Sequence, residues 1–112
     1  MRKGLLKNAY DQVNTLSLTD NNIGVTYLDD GQPGEAVLYL KESYRLAEEK
    51  KLGEIACAEP AWNLARAFRM LGETEKEKKY LKTALQGFQN HYAPEHPKRL
   101  AAEKRNEELN GK

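Results

Sequence analysis

Apolar residues recur along most of this chain at spacings of three and four, which places them on one face of a helix. Leu6, Ala9, Tyr10 and Val13 make one stripe, and Ile23, Gly24, Tyr27 and Leu28 a second. Ala36, Leu40, Ser43, Tyr44 and Ala47 make a third, Leu64, Ala65, Phe68 and Leu71 a fourth, and Tyr80, Leu81, Ala84, Leu85 and Phe88 a fifth. Period-two alternation, the mark of a half-buried strand, is scarce. The pattern predicts an all-α chain with about six helices, near 3–15, 18–30, 34–51, 54–71, 74–91 and 97–109. Breakers fall between them. Asp29-Asp30-Gly31-Gln32-Pro33-Gly34 is a turn cluster, and Tyr92-Ala93-Pro94-Glu95-His96-Pro97 is a loop with Pro97 placed for the first turn of a last helix. Gly72 suits the left-handed residue after a helix end, and Thr74 with Glu77 reads as a capping box. Pro60 allows two readings of the fourth helix: a start near Glu59, or a start near Glu54 with a bend at the proline. The second is preferred, because Ile55, Ala56 and Ala58 would otherwise form an apolar loop.

The stripes also repeat. Leu6-Lys7-Asn8-Ala9-Tyr10 recurs as Leu40-Lys41-Glu42-Ser43-Tyr44, 34 residues on, and as Leu81-Lys82-Thr83-Ala84-Leu85 after a further 41. Ile23-Gly24-Val25-Thr26-Tyr27 recurs as Leu64-Ala65-Arg66-Ala67-Phe68, again 41 residues on. The seven-residue difference is about two helical turns, so two facing helices can each gain a turn and keep their buried faces in register. Repetition at this period marks a stack of helix pairs.

These residues resemble the tetratricopeptide repeat family. Ile23, Gly24, Tyr27, Ala36 and Leu40 fill its pattern of large, small and aromatic positions in one repeat, and Leu64, Ala65, Phe68, Leu81 and Ala84 fill most of it in the next. Departures are Asp20 and Ala61 in the usual tryptophan slot, with Trp62 displaced by one, and Glu77 where the second helix usually carries a small residue. The loop around Pro94 is similar to the linker of the longer repeats of kinesin light chains. The resemblance implies a right-handed superhelix of antiparallel helix pairs in one domain. A half repeat is expected over 1–16, repeats over 17–52 and 53–92, and a capping helix over 96–110. Since Leu6 aligns with Leu40, the chain is expected to open on the second helix of a pair, as part of a longer array would.

A repeat stack of this kind implies a concave surface lined by the first helix of each pair, with a non-catalytic, protein-binding role. The residues expected to line it are Asn21, Val25 and Leu28 from the earlier helix, and Trp62, Asn63, Arg66, Arg69 and Met70 from the later one. Trp62, Arg66 and Arg69 share a face at i, i+4 and i+7. An aromatic ring beside two guanidinium groups suits an acidic or carboxylate-bearing segment. The bland alternative is that Trp62 packs under the preceding helix while the arginines form a solvated face. The two-carboxylate clamp of the family's co-chaperones is not expected. Asn63 occupies one of its positions, but Asn21 and Val25 depart from it, and neither Lys98 with Arg99 nor Lys104 with Arg105 aligns to the remainder. A second reading is an assembly module stacking through its terminal helices. Leu5, Leu6 and Tyr10 would then join two copies as a homodimer, or meet an upstream repeat.

Composition narrows the rest. The chain has 112 residues and a formal net charge of +1, so no global field draws it to nucleic acid. No apolar run approaches the length of a membrane span or of a signal peptide. Cys57 is the single cysteine, which excludes an intrachain disulfide and fits a reducing, cytoplasmic setting. It lacks electropositive neighbours in sequence and reads as a packing residue. His91 and His96 flank a proline-containing loop with no ligand set around them, so no metal or other cofactor is expected. Glu73 to Lys82 reads as a solvated helix face with i,i+4 pairs.

Overall fold

The computed structural model describes residues 9–111, with side chains from Asp11 onward. Five helices and no strand lie among them: α1 (Ala9–Asp29), α2 (Pro33–Glu49), α3 (Glu54–Met70), α4 (Thr74–His91) and α5 (Pro97–Asn110). The described part of the helix expected over 3–15, residues 9–15, is continuous with the helix expected over 18–30. Their junction, Leu16-Ser17-Leu18, carries neither glycine nor proline, so nothing interrupts the backbone ladder, and α1 runs through the expected boundary at residue 16. Residues 9–15 therefore extend the first helix of a pair instead of forming the second helix of an earlier one. Leu5, Leu6 and the side chain of Tyr10, expected to mediate self-association, lie outside the described residues. The other four helices stand where the pattern puts them. Helix α3 begins at Glu54 and carries the buried Pro60 in its interior.

Three helix ends close in the same way. The amide of Gln32 donates to the Tyr27 carbonyl (2.8 Å), that of Leu52 to Ala47 (3.0 Å) and that of Glu73 to Phe68 (2.9 Å). Each closure needs one left-handed residue just past the helix. Gly31 and Gly72 supply it at φ of 73° and 75°, and Lys51 does so without being glycine. These short turns fold α2 back on α1 and α4 back on α3. Helix α2 then rests on α3, α4 on α5, and α1 lies beside α3.

Small residues set how closely each pair approaches. A Cβ on Gly24 would stand 2.5 Å from Leu40 Cγ, so the leucine fills the space the glycine leaves. Nearby, the Ser17 and Ser43 hydroxyls donate to each other's backbone carbonyls across the same crossing (3.0 and 2.7 Å). Forty-one residues on, these four positions become Ala65, Leu81, Ala58 and Ala84, all buried. The second pair has a further close approach, since a Cβ on Gly87 would meet Ala58 Cβ at 2.6 Å.

The core is continuous across the pairs. Leu28, Ala36 and Leu40 meet Leu64, Ala67 and Phe68 of α3. Ala58, Ala61 and Ala65 meet Leu81, Ala84 and Phe88 of α4, and Ala102 of α5 closes that cluster. Tyr80 joins the two, stacked on Phe68 (5.8 Å) and edge-on to Tyr44 (5.6 Å). Ile23 and Tyr27 are half-buried, Tyr27 stacked on Tyr39. Asp20, standing in the tryptophan slot of the repeat pattern, is buried, and its Oδ2 accepts no hydrogen bond. Burial first, and Glu42 second, hold its carboxyl above the usual carboxylate range.

Two outcomes follow from this packing. Gly24→Ala should cost about 1–3 kcal/mol through overlap with Leu40, less up to about 1 kcal/mol returned by helix propensity. Denaturant unfolding measures it, and a stabilised variant would show that the crossing is looser than described. For Asp20 the sign is set by its raised pKa. At low pH the folded and unfolded chains are both protonated there. As pH rises past the ordinary 3.8, the unfolded chain ionises first and stability falls until the folded group ionises too. Asp20→Asn should therefore raise the melting temperature at about pH 7, by a margin that shrinks towards about pH 3.5. A pH-independent difference would place the effect in packing alone.

Candidate functional site

The first helices of successive pairs lie side by side. Helices α1 and α3 are tied by a hydrogen bond from Asn63 Nδ2 to Asn21 Oδ1 (3.0 Å) and by a looser approach of Arg66 to Asp29 (3.9 Å). Between α3 and α5 opens a cleft of about 370 Å³. Trp62, Arg66 and Arg69 form its α3 wall, and Lys104, Arg105 and Glu108 its α5 wall. The i, i+4, i+7 stripe read from the sequence thus faces one cavity.

Trp62 is half-buried. Its ring meets Phe88 edge-on (6.4 Å), Phe88 stacks on Tyr92 (5.2 Å), and Tyr92 stacks on His96 (4.0 Å). This ladder fixes the indole against the core while the ring still lines the cleft. Arg66 is also held in place, its Nη1 donating to Asn63 Oδ1 at 3.0 Å. Asn63 is only 5% exposed, so it acts as a bridge between Asn21 and Arg66 with no edge left open to a ligand. Val25 is half-buried and Met70 exposed. Leu28 departs from its expected place on the concave surface. It is 4% exposed, because α3 lies beside α1 and covers it with Leu64 and Phe68.

The cations of α5 divide by position. Lys98 pairs with Glu59 (2.6 Å), and Arg99 with Glu103 (3.1 Å) and the Tyr92 carbonyl (2.9 Å). Arg105 donates through Nε and Nη2 to Glu77 (2.6 and 3.0 Å) and through Nη1 to Glu108 (3.2 Å). Neither Arg69 nor Lys104 has an ion pair or a side-chain hydrogen bond among the described residues. Two cations without a carboxylate partner therefore stand across the cleft from each other, beside an indole.

The Glu77–Arg105 pair positions that α5 wall. Glu77 is 2% exposed, and the hydrogen bond from Arg105 keeps the guanidinium protonated above its usual range. Glu77 lies 41 residues after Ala36, and Arg105 lies 41 after Leu64, so the ion pair replaces an apolar contact at the equivalent crossing. The expected Thr74–Glu77 capping box does not form. The N-cap of α4 is Glu73 without a side-chain hydrogen bond, since the Glu77 carboxylate turns inward to the guanidinium. The histidines also have local tasks. His91 contacts Glu54 (2.8 Å), and His96 Nδ1 accepts from the Lys98 amide, capping α5 (3.1 Å). Tyr92 donates to Glu59 (2.6 Å), and burial and that carboxylate push its phenol up to about 12. Burial raises the Cys57 thiol as well, which fits a packing residue.

Stacked helix hairpins with a cleft between successive first helices define a helical-repeat interaction module. A tetratricopeptide repeat model matches residues 15–90, and the chain belongs to the tetratricopeptide repeat family, whose members mediate protein–protein interaction and are generally non-catalytic. Comparison with curated proteins and with solved structures gives no match. No helix among the described residues is long and apolar enough to cross a membrane.

The inward ion pair makes a sharp test. Arg105→Leu alone leaves Glu77 buried without a partner and should cost about 3–5 kcal/mol. Adding Glu77→Ala rebuilds the Ala36–Leu64 arrangement and should return stability to within about 1 kcal/mol of the parent, or above it. Thermal or urea unfolding of the two singles and the double reads this directly. Additive losses would show that the pair is not coupled.

Proposed function

We propose that this chain binds an acidic, carboxylate-bearing protein segment in the cleft between α3 and α5. The observation that carries the reading is the pair Arg69 and Lys104, on facing helices, beside Trp62 and without carboxylate partners among the described residues. Carboxylates entering there would gain charge-assisted hydrogen bonds, and an apolar part of the segment could lie on the indole. Arg66 is a weaker contributor, since its guanidinium already donates to Asn63. The family's general role in protein interaction supports a peptide or protein as the ligand class. A cytoplasmic setting belongs to the same reading, supported by the single cysteine.

The test follows from which cations are free. Arg69→Ala with Lys104→Ala should weaken binding of an acidic peptide by about 10-fold or more and flatten its salt dependence. The melting temperature should hardly move, because neither side chain supports the fold. Arg66→Ala is a poorer probe, because it leaves the buried Asn63 oxygen without its donor. Calorimetric titration at two salt concentrations measures the effect. Unchanged affinity and salt slope in the double variant would rule out this cleft as the acidic site.

A further inference from the structure

A separate cavity of about 380 Å³ lies between α4 and α5 and shares no residue with the cleft. Its wall is built from i, i+4 pairs, each on one helix face. Lys78 and Lys82 of α4 form one side and Asn106 and Asn110 of α5 the other, while Leu81, 1% exposed, makes an apolar floor with Leu85. Among the described residues no carboxylate lines it. Glu103, one turn before Asn106, is engaged by Arg99 and Gln89, and Glu77 turns inward to Arg105. Glu75 and Glu107 are exposed and stand outside the wall. Neither lysine forms an ion pair or a side-chain hydrogen bond among the described residues, although Lys78 is half-buried. The amides opposite are mostly unspent as well. Asn110 Nδ2 donates to Asn106 Oδ1 (3.0 Å), which leaves both N–H groups of Asn106 and one of Asn110 without an acceptor among the described residues.

We propose that this cavity takes a phosphorylated side chain of a partner protein. Two ammonium groups balance the charge of about −1.5 to −2 that a phosphomonoester carries near pH 7. An ammonium is a compact charge without the planar fork that suits a carboxylate. The asparagine N–H groups opposite supply further donors, enough for a group with three free oxygens. A carboxylate has two oxygens and about half the charge, so it would leave part of this set unused. The Leu81–Leu85 floor offers no polar atom, so the ester brings an apolar body to it. That favours the ring of phosphotyrosine over the short arm of phosphoserine. A nucleic acid would need a long basic track, and the chain's formal net charge is only +1. The site is independent of the acidic cleft, since it draws on other residues and on a different ligand.

NMR titrations of the isotopically labelled chain with phenyl phosphate, inorganic phosphate and benzoate test this, followed on the side-chain amides of Asn106 and Asn110. Phenyl phosphate should shift both saturably and bind about 10-fold or more tighter than benzoate, with inorganic phosphate between the two. A phosphotyrosyl peptide in a Gly/Ser background should move the same signals, and its unphosphorylated form should not. Lys82→Gln, at an exposed side chain, should weaken phenyl phosphate by about 5-fold or more at an unchanged melting temperature. Adding Lys78→Gln should abolish the shifts. Arg69→Ala with Lys104→Ala should leave them as they are, which separates this site from the cleft. The site is overturned if phenyl phosphate moves neither amide, if benzoate or inorganic phosphate binds as tightly, or if Lys82→Gln leaves the affinity unchanged. It is also overturned if a single-stranded oligonucleotide shifts these amides more strongly than the phosphopeptide, since the cavity would then be a nucleic-acid contact.

Discussion

The close approach of two helices at a small residue is the constraint on which the rest of this molecule depends. Gly24 admits Leu40 into the space a side chain would fill, and 41 residues on Ala65 and Leu81 occupy the equivalent positions. Ser17 with Ser43, and Ala58 with Ala84 and Gly87, hold the other crossings close. Because the second helix of each pair sits this near to the first, the next pair stacks in the same orientation. The first helices α1 and α3 then lie side by side, and α5 stands across the cleft from α3. Arg69 and Lys104 have no direct share in this packing, whereas Trp62 and Arg105 reach from the cleft wall into it. Arg69 and Lys104 are what the first helices display on the face that the crossings leave open.

The second repeat crossing is built differently, and the difference bears on the cleft. Between α2 and α3, Ala36 and Leu64 belong to one apolar cluster. Between α4 and α5 the same two positions hold Glu77 and Arg105 as a bidentate ion pair. An apolar contact tolerates some sliding, whereas a guanidinium–carboxylate pair demands one geometry. That single register fixes where Lys104 stands relative to Trp62 and Arg69. The arrangement also consumes one of the cleft's cations, since Arg105 is neutralised by Glu77 and Glu108. In the proposed reading, recognition falls to Arg69 and Lys104, which have no ion pair or side-chain hydrogen bond among the described residues.

Much of this was legible in the sequence, and the parts that were not share a cause. The repeat spacing marked the pairs, and Gly24, Ala65, Leu40 and Leu81, which it singles out for packing, are buried in the structure. The i, i+4, i+7 stripe of Trp62, Arg66 and Arg69 was visible as a surface, since helical periodicity alone places side chains on a face. Periodicity does not say what lies opposite. Leu28 shows this: its stripe could be seen, but that α3 covers it could not. Lys104 and Arg105 were both noted as cations, yet only the fold separates the one that is free from the one held by Glu77. The break expected between residues 15 and 18 was wrong for another reason. The similarity of residues 6–10 to residues 40–44 outweighed the local fact that Leu16-Ser17-Leu18 contains no breaker. The stack from Trp62 through Phe88 and Tyr92 to His96 joins three elements, and no spacing rule announces it.

Trp62 is the single tryptophan of the chain, and it stands in the cleft wall, which makes its indole N–H a unique reporter. An NMR titration of the isotopically labelled protein with a short acidic peptide, followed on that indole resonance and on the backbone amides, reads directly whether the cleft between α3 and α5 takes an acidic segment. A saturable shift of the Trp62 indole is expected, accompanied by amides near Arg69 and Lys104 and diminished by added salt. A titration that leaves the indole unmoved, or that shifts only residues on the outer helices α2 and α4, would contradict it.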